Sequence, residues 1–436
     1  MFDAFRNLWK IADMRRRILI TVGMLAVFRF GSHIPVPGVN SAVLSIYFAQ
    51  MRSSVLGLFD MFVGGNLGRA TIFALGIMPY ISASIIFQIL GATIPLYQRL
   101  AKEGEEGRRK MTQHTRYLTV LIASIQASAL SIFLSNLSVG GAPVLPYSGF
   151  LIRFSIIVTM TAGTIFLMWL GELITENGIG NGISLLIMFG ILARFPQDML
   201  QFWRMLSSGA LSWTFLFGFA VFAVLIVAAV VMITQGQRRI PIQYAKRVKG
   251  RKVYGGQSTH LPINVNSAGV IPIIFAQSAL MLLPSFANFF RGKIWADWIV
   301  NLLNPGGLLY NSLFVIMIIM FAYVYTAIVI NPQELAGNLK KYGGFIPGIR
   351  PGGQTANYID KIISRITLPG AAFFAFIAVI PSILMAKFRL PFYFGGTSII
   401  IVVGVALDTV RQLESQLLMR HYEGFMKRGR IRGRRR

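Results

Sequence analysis

Apolar stretches of about 18 residues or more, with almost no charge, recur from one end of this chain to the other. Each is long enough to cross a hydrocarbon core of roughly 30 Å at about 1.5 Å per helical residue. That repetition excludes a water-soluble fold. The composition agrees, because 55% of the residues are hydrophobic and only 13% are charged, against about 25% charged in a typical soluble domain. The mean hydropathy is +0.63. A length of 436 residues would suggest about two or three soluble domains, a prior that does not apply to a membrane chain. Hydropathy places about ten spans, at roughly 18–34, 70–94, 115–136, 151–171, 182–196, 212–234, 268–290, 308–330, 367–386 and 396–412. The expected fold is therefore an all-α, multi-pass membrane protein. The first apolar run lacks a small-x-small cleavage pattern and is followed by many further spans, so it reads as a retained helix rather than a removed leader.

An even number of spans puts both termini on one side of the membrane. Lys and Arg crowd the N-terminus, the connections after even-numbered spans and the C-terminus, and they are sparse after odd-numbered spans. By the positive-inside rule both termini are expected in the cytoplasm. Most of the formal net charge of +27 falls in those segments. Orientation and anionic headgroups account for part of it. Two of the cytoplasmic connections exceed that need: 235–265 and 332–366 carry seven and five basic residues on segments rich in Gly, Pro, Tyr and Gln. Loops of that length are usually functional, and their charge implies an acidic partner such as ribosomal RNA or an acidic protein face.

The connection between the first two spans holds SSVLGLFDMFVGGN at 53–66, an apolar run too short to cross a bilayer. It reads as a re-entrant or interfacial helix, with an ordinary amphipathic surface helix as the alternative. Gly64, Gly65, Ser53 and Ser54 would let it pack and move without being anchored in lipid. The second span carries Pro79 in its middle, followed by Ser82, Ser84 and Gln88; the seventh carries Pro272 with Asn266, Ser267 and Gln277. A proline inside a membrane helix kinks it and frees a carbonyl that neighbours or water must satisfy. Two kinked, partly polar helices at matching places in the two halves suggest an internal repeat with a pathway between them.

Catalytic and cofactor signatures are missing from the sequence. No G-x-x-x-x-G-K-[ST] is present, Gly178, Gly180 and Gly182 do not complete G-x-G-x-x-G, and neither H-E-x-x-H nor G-x-S-x-G occurs. The chain has no cysteine, and His33, His114, His260 and His421 are scattered among connecting segments, so neither a disulfide nor a metal-ligand cluster can be drawn. Arg29, Arg153, Glu172, Asp408 and Arg411 sit close to the ends of the expected spans. A coupled transporter places a carboxylate or histidine near the midplane. Passive conduction therefore ranks first, an ion-coupled secondary transporter second and a membrane-embedded enzyme third.

The polar blocks are the most specific signal. IFALGIMPYISASIIFQIL (72–90), KEGEEGRRK (102–110), ITENGIGNGISL (174–185), GQRRIPIQYAKR (236–247), YGGQSTHLPI (254–263), AGVIPIIFA (268–276), NPQELAGNLKKYGGFIPGIRPG (331–352) and PFYFGGTSIIIVVGVALDT (391–409) occur in that order. Together they resemble the SecY family of protein-conducting channels along nearly the whole chain. The resemblance implies two pseudo-symmetric five-helix halves, 1–200 and 201–436, meeting around an hourglass pore in the cell (inner) membrane. It implies SecE, SecG, the SecA ATPase and the ribosome as partners, and no cofactor. The implied cargo is a secretory polypeptide whose signal peptide and hydrophobic segments leave sideways into lipid between helices 2 and 7. Carried over residue by residue, it assigns Ile77, Ile81, Ile187, Ile274 and Ile401 to a pore ring. Leu56, Leu58, Phe59, Met61 and Phe62 fall to a plug. Ser82, Gln88, Asn266 and Gln277 fall to a lateral gate, and Arg251, Lys252 and Arg350 to partner docking.

Overall fold

A computed structural model describes residues 11–51, 54–147, 149–209, 212–244, 247–249, 252–254, 258–289, 293–304, 307–388 and 396–428. Fifteen helices carry most of these residues. The first part of the chain forms α1 (Ala12–Gly31), α2 (Ser41–Gln50), α3 (Val55–Phe62), α4 (Met78–Thr93), α5 (Pro95–Lys102), α6 (Glu105–Asn136), α7 (Phe150–Asn177) and α8 (Gly182–Ser207). The second part forms α9 (Trp213–Gln235), α10 (Ile271–Phe289), α11 (Ile294–Leu302), α12 (Leu308–Val329), α13 (Pro332–Lys341), α14 (Gly353–Phe388) and α15 (Gly396–Arg428).

Among the described residues, seven helices are long and apolar enough to cross a membrane by themselves: α6, α7, α8, α9, α12, α14 and α15. The other three expected spans coincide with α1, α4 and α10, and two of these depart from the expected form. Span two does not run from 70. Residues 70–77 form buried turns, and the helix starts at Met78 with Pro79 in its first turn. Pro79 therefore opens α4 rather than kinking its middle; a first-turn N–H has no intrahelical partner to lose, and the fixed φ of proline suits a helix start. At 16 residues, α4 is roughly 24 Å long. Pro272 likewise falls in the first turn of α10, and the proline inside that helix is Pro284. Hydropathy could not separate the buried, non-helical approach from the helix, because both are apolar.

The approach is held by aromatic packing. Phe73 stacks on Phe28 of α1, with centroids 5.9 Å apart, and on Phe166 of α7 at 6.0 Å. Span five is longer than expected. Helix α8 continues through Pro196 to Ser207, so residue 200, the expected dividing point, lies inside a helix. The glycines of the ITENGIGNGISL block serve the α7–α8 turn. A Cβ on Gly182 would sit 2.0 Å from the Gly171 carbonyl oxygen, a close approach only glycine permits. Asn181 caps α8 by accepting from the amides of Ile183 and Ser184.

Within the first half α6 packs on α7 and α4, α7 on α8, and α1 on α7; within the second α10 packs on α12, α12 on α14, and α15 on α9 and α14. The halves meet where α10 packs against α3, α4 and α6, and where α15 packs against α8. One apolar core runs through both halves.

The helical chain carries small sheets that the all-α expectation omitted. The connections 235–265 and 332–366 join in a three-stranded antiparallel sheet. Here β3 (Gln237–Tyr244) pairs with β6 (Ser258–Asn264) on one side and β7 (Gly344–Phe345) on the other. Alternation in RRIPI sends Ile240 and Ile242 to the buried face. There Ile240 meets Ile263, Ile346, Ile359 and Ile363 in a second, separate apolar cluster at the base of α14. Two further hairpins, β1 (Ser138–Val139) with β2 (Ala142–Pro143) and β4 (Arg247–Lys249) with β5 (Lys252–Tyr254), complete the strands described.

Candidate functional site

The short α3 forms where the sequence placed a re-entrant helix. The hydroxyl of Ser54 accepts from the Gly57 amide at 3.3 Å and caps it; Ser53 lies outside the described residues. Two turns expose many apolar side chains for few backbone hydrogen bonds, so such a helix owes its stability to packing. Leu56, Leu58, Phe59, Met61 and Phe62 are all buried. Each is worth about 1.5–3 kcal/mol relative to exposure to water. Burial of every residue from 56 to 62 rules out an amphipathic surface helix. Helix α3 packs against α8 from the first half and α10 from the second. The Ser398 hydroxyl of α15 adds a contact to the Met61 Sδ at 3.8 Å.

The segment leaving α3 is tied to α8 through backbone and charge. Gly64 has φ +78°, and a Cβ there would come within 3.0 Å of the Gly190 carbonyl oxygen, so side chains are excluded twice over. Asp60, inside the apolar run, accepts from Arg194 Nη1 at 3.0 Å through Oδ2 and from the Gly68 amide at 2.7 Å through Oδ1. The side chains are 7% and 17% exposed respectively, which makes this a desolvated ion pair rather than a solvated surface contact.

The five isoleucines lie in the same apolar core as the buried side chains of α3. Ile77 is the residue that leads into α4, Ile81 lies one turn later, Ile187 is on α8, Ile274 on α10 and Ile401 on α15. None exceeds 7% exposure, so none faces lipid. Three come from the first half and two from the second.

The four residues expected at a lateral gate divide. Ser82 is buried on α4, and Gln88 donates to Ser84 within the same helix at 3.2 Å. Asn266 donates to the Gly269 carbonyl just before α10, and Gln277 donates to the Tyr310 hydroxyl of α12 at 3.1 Å, away from α4. The polar contact that crosses the α4–α10 seam is one the sequence reading missed: the Ser278 hydroxyl lies 3.4 Å from Met78 Sδ while also donating to the Ile274 carbonyl. Asp60–Arg194 was missed as well. Its signal was available, since a carboxylate within an apolar run requires a partner.

Of the docking residues, Arg350 is exposed at the end of the loop after β7, and its carbonyl accepts from the Thr355 hydroxyl. Lys252 opens the strand Lys252–Tyr254, and Arg251 lies outside the described residues. In the first turns of α6, the Lys110 ammonium donates to Glu106 at 3.0 Å, which raises its pKa. Among the described residues no group of three or more His, Asp or Glu is placed to hold a metal ion.

The family model described as SecY matches residues 71–410. The chain belongs to the SecY family. Curated SecY-family relatives extend the match over nearly the full length. The chain is 44% identical to "Protein translocase subunit SecY" of Aquifex aeolicus over 98% of this chain and 100% of that one. It is 46% identical to the protein of the same name in Escherichia coli K12, over 97% and 96%. Among solved structures, "The structure of a protein conducting channel" superposes with a TM-score of 0.66 at 19% identity, covering 92% of each chain. The channel of a canine ribosome-channel complex from the endoplasmic reticulum superposes at 0.61 with 18% identity. These two likenesses carry the fold, and the SecY-family fold is that of a multi-pass membrane protein.

Proposed function

We propose that this chain is the channel-forming subunit of a protein translocase in the plasma membrane, with both termini in the cytoplasm. It passes unfolded secretory polypeptides between its two halves, α1–α8 and α9–α15, and releases hydrophobic segments into lipid through the α4–α10 seam. The observation that carries the reading is the sharing of five buried isoleucines between the halves, continuous with a short helix too small to span the membrane. A ring of apolar side chains can dewet and close to ions, yet flex around a threaded chain. Isoleucine is stiff at χ1 and offers nothing to hydrogen-bond. Apolar segments in a pore that opens sideways partition into lipid and polar ones go forward. The relatives carry the name protein translocase subunit, and the canine structure holds its channel in a ribosome complex.

Within this reading, Leu56, Leu58, Phe59, Met61 and Phe62 form the plug under the ring. Ser82, Gln88, Asn266 and Gln277 line the helices of the gate, and Arg251, Lys252 and Arg350 dock the ribosome and the SecA motor. SecE and SecG complete the complex. No bond chemistry is assigned to the chain. Ion-coupled transport is disfavoured because the buried carboxylate of α3 is already neutralised by Arg194. The test is reconstitution with SecE and SecG in vesicles. An unfolded secretory polypeptide should become protease-protected only with SecA and ATP, and uptake of a small solute driven by an ion gradient without any polypeptide transport would overturn the proposal.

A further inference from the structure

Helix α11, IWADWIVNL, is nine residues long and far too short to cross a bilayer. Its surface divides into three sectors. Ala296 and Leu303 are buried at 0% and 7% exposure and turn one side to the protein, where α11 packs on α10. Ile294, Trp298 and Leu302 follow one another at i, i+4 and i+8 with Trp295 beside them, and they are exposed at 92%, 64%, 39% and 51%. The remaining sector carries Asp297 and Asn301.

We propose that α11 lies in the plane of the membrane interface, on the face opposite the two long basic loops. Its Ile294–Trp298–Leu302 stripe is sunk into the headgroup and acyl boundary, tying the far end of α10 to that leaflet. A helix beside a membrane protein meets protein, lipid and water at three different angles, and these three sectors correspond to them. A contact with a second protein would not call for a polar strip separating the apolar stripe from the packed side. Exposed apolar residues also flank the stripe in sequence: Leu283 of α10 is 61% exposed before it, and Leu308 at the start of α12 is 88% exposed after it. Two indoles in nine residues suit the interface, where an amphipathic ring has one apolar and one wet edge. Helices of this kind bury their apolar face about 5–10 Å below the headgroups.

The consequence is mechanical. Helix α10 forms the seam with α4 and α6, and a leaflet-anchored α11 holds its outer end while the seam opens.

The chain has no cysteine, so single-cysteine spin labels can be placed without removing any native residue. Ile294→Cys, Trp298→Cys and Asn301→Cys would be labelled in the full chain with SecE and SecG, in phosphatidylcholine–phosphatidylglycerol vesicles. Collision with oxygen, which concentrates in lipid, is compared with collision with a water-soluble nickel chelate. The oxygen-to-nickel ratio should be severalfold higher at 294 and 298 than at 301. Ile294 makes little packing to lose, so its label reports on an intact fold. Nickel access at 294 and 298 equal to that at 301 would overturn the proposal by putting the stripe in water. Shielding of 294 and 298 from both agents would overturn it in favour of a second copy or a protein partner.

Discussion

Replacing Asp60 with Asn removes one charge from α3, the proposed plug, and leaves its volume nearly unchanged. The Asn side-chain oxygen can still accept from the Gly68 amide, 2.7 Å from Oδ1 in the parent, so the loop beyond α3 keeps its tether. What is lost is the partner of Arg194, whose side chain is 17% exposed and is only partly rehydrated while α3 stays seated. Removing one member of a buried ion pair costs about 3–5 kcal/mol, and the retained Gly68 bond and partial access of water to Arg194 favour the lower figure. Both partners stay folded in the chain when α3 lifts away, so the cost falls on the seated state. At about 1.4 kcal/mol per tenfold, ~3 kcal/mol raises the unseated population roughly 100-fold. Single-channel recording in planar bilayers should show openings of the resting channel correspondingly more frequent. The double variant Asp60→Leu, Arg194→Leu leaves no orphaned charge and should return toward the parent. If Asp60→Asn, correctly assembled with its partners, is as quiet as the parent, the ion pair does not hold the plug.

The ring makes a parallel prediction. Ile77→Asn with Ile274→Asn places amides on both sides of the α4–α10 seam and should make resting channels leak ions, while each alone does less because the other isoleucines and the plug remain; a silent double variant removes these residues from the seal. Arg350→Glu inverts an exposed charge with no packing cost and should abolish motor-driven export in a vesicle assay at unchanged protein level, and normal export would end its assignment to docking. A reporter fused after residue 436 should be cytoplasmic and one within 137–149 exported; an exported C-terminal reporter reverses the orientation.

What the sequence revealed and what it hid divide along physical lines. Helices such as α6 and α12 declare themselves because an uninterrupted apolar window needs no tertiary context. Helix α3 was legible as an oddity, too short for a span and too apolar for a loop. The start of α4 was not legible, since the turns of 70–77 are as apolar as the helix they lead into, buried by Phe28, Phe166 and the rest of α1 and α7. The end of α8 was hidden for the opposite reason. Arg194, Pro196 and Asp198 look like a span boundary, yet the helix continues because Arg194 answers Asp60. The sheet of β3, β6 and β7 required pairing between segments about 100 residues apart, which no local period reports. The isoleucines of the ring cannot be told from any other isoleucine by spacing. Family resemblance pointed to them, and their common burial is what the fold adds.

Under the proposed function, the two closures of the channel, ring and plug, share a wall. Helix α10 contributes Ile274 to the ring and Ser278 to the α4 seam, and it also forms one side of the seat in which α3 lies. The other side of that seat, α8, carries Arg194 and Ile187. A movement of α10 away from α4 therefore widens the ring, breaks the Ser278–Met78 contact and removes the apolar support on one flank of α3, all at once. The ion pair on the opposite flank is untouched by that movement. Under the proposed function, a signal sequence that parts the seam loosens the plug without freeing it, and the remaining step is the loss of the Asp60–Arg194 contact. Opening is then sequential in energy. The seam yields to a hydrophobic ligand that can replace apolar contacts with its own, whereas the buried charge pair yields only when water or a passing polar chain reaches it. A channel built this way can bind an apolar segment at its side and still keep its ion seal until the chain to be moved has arrived.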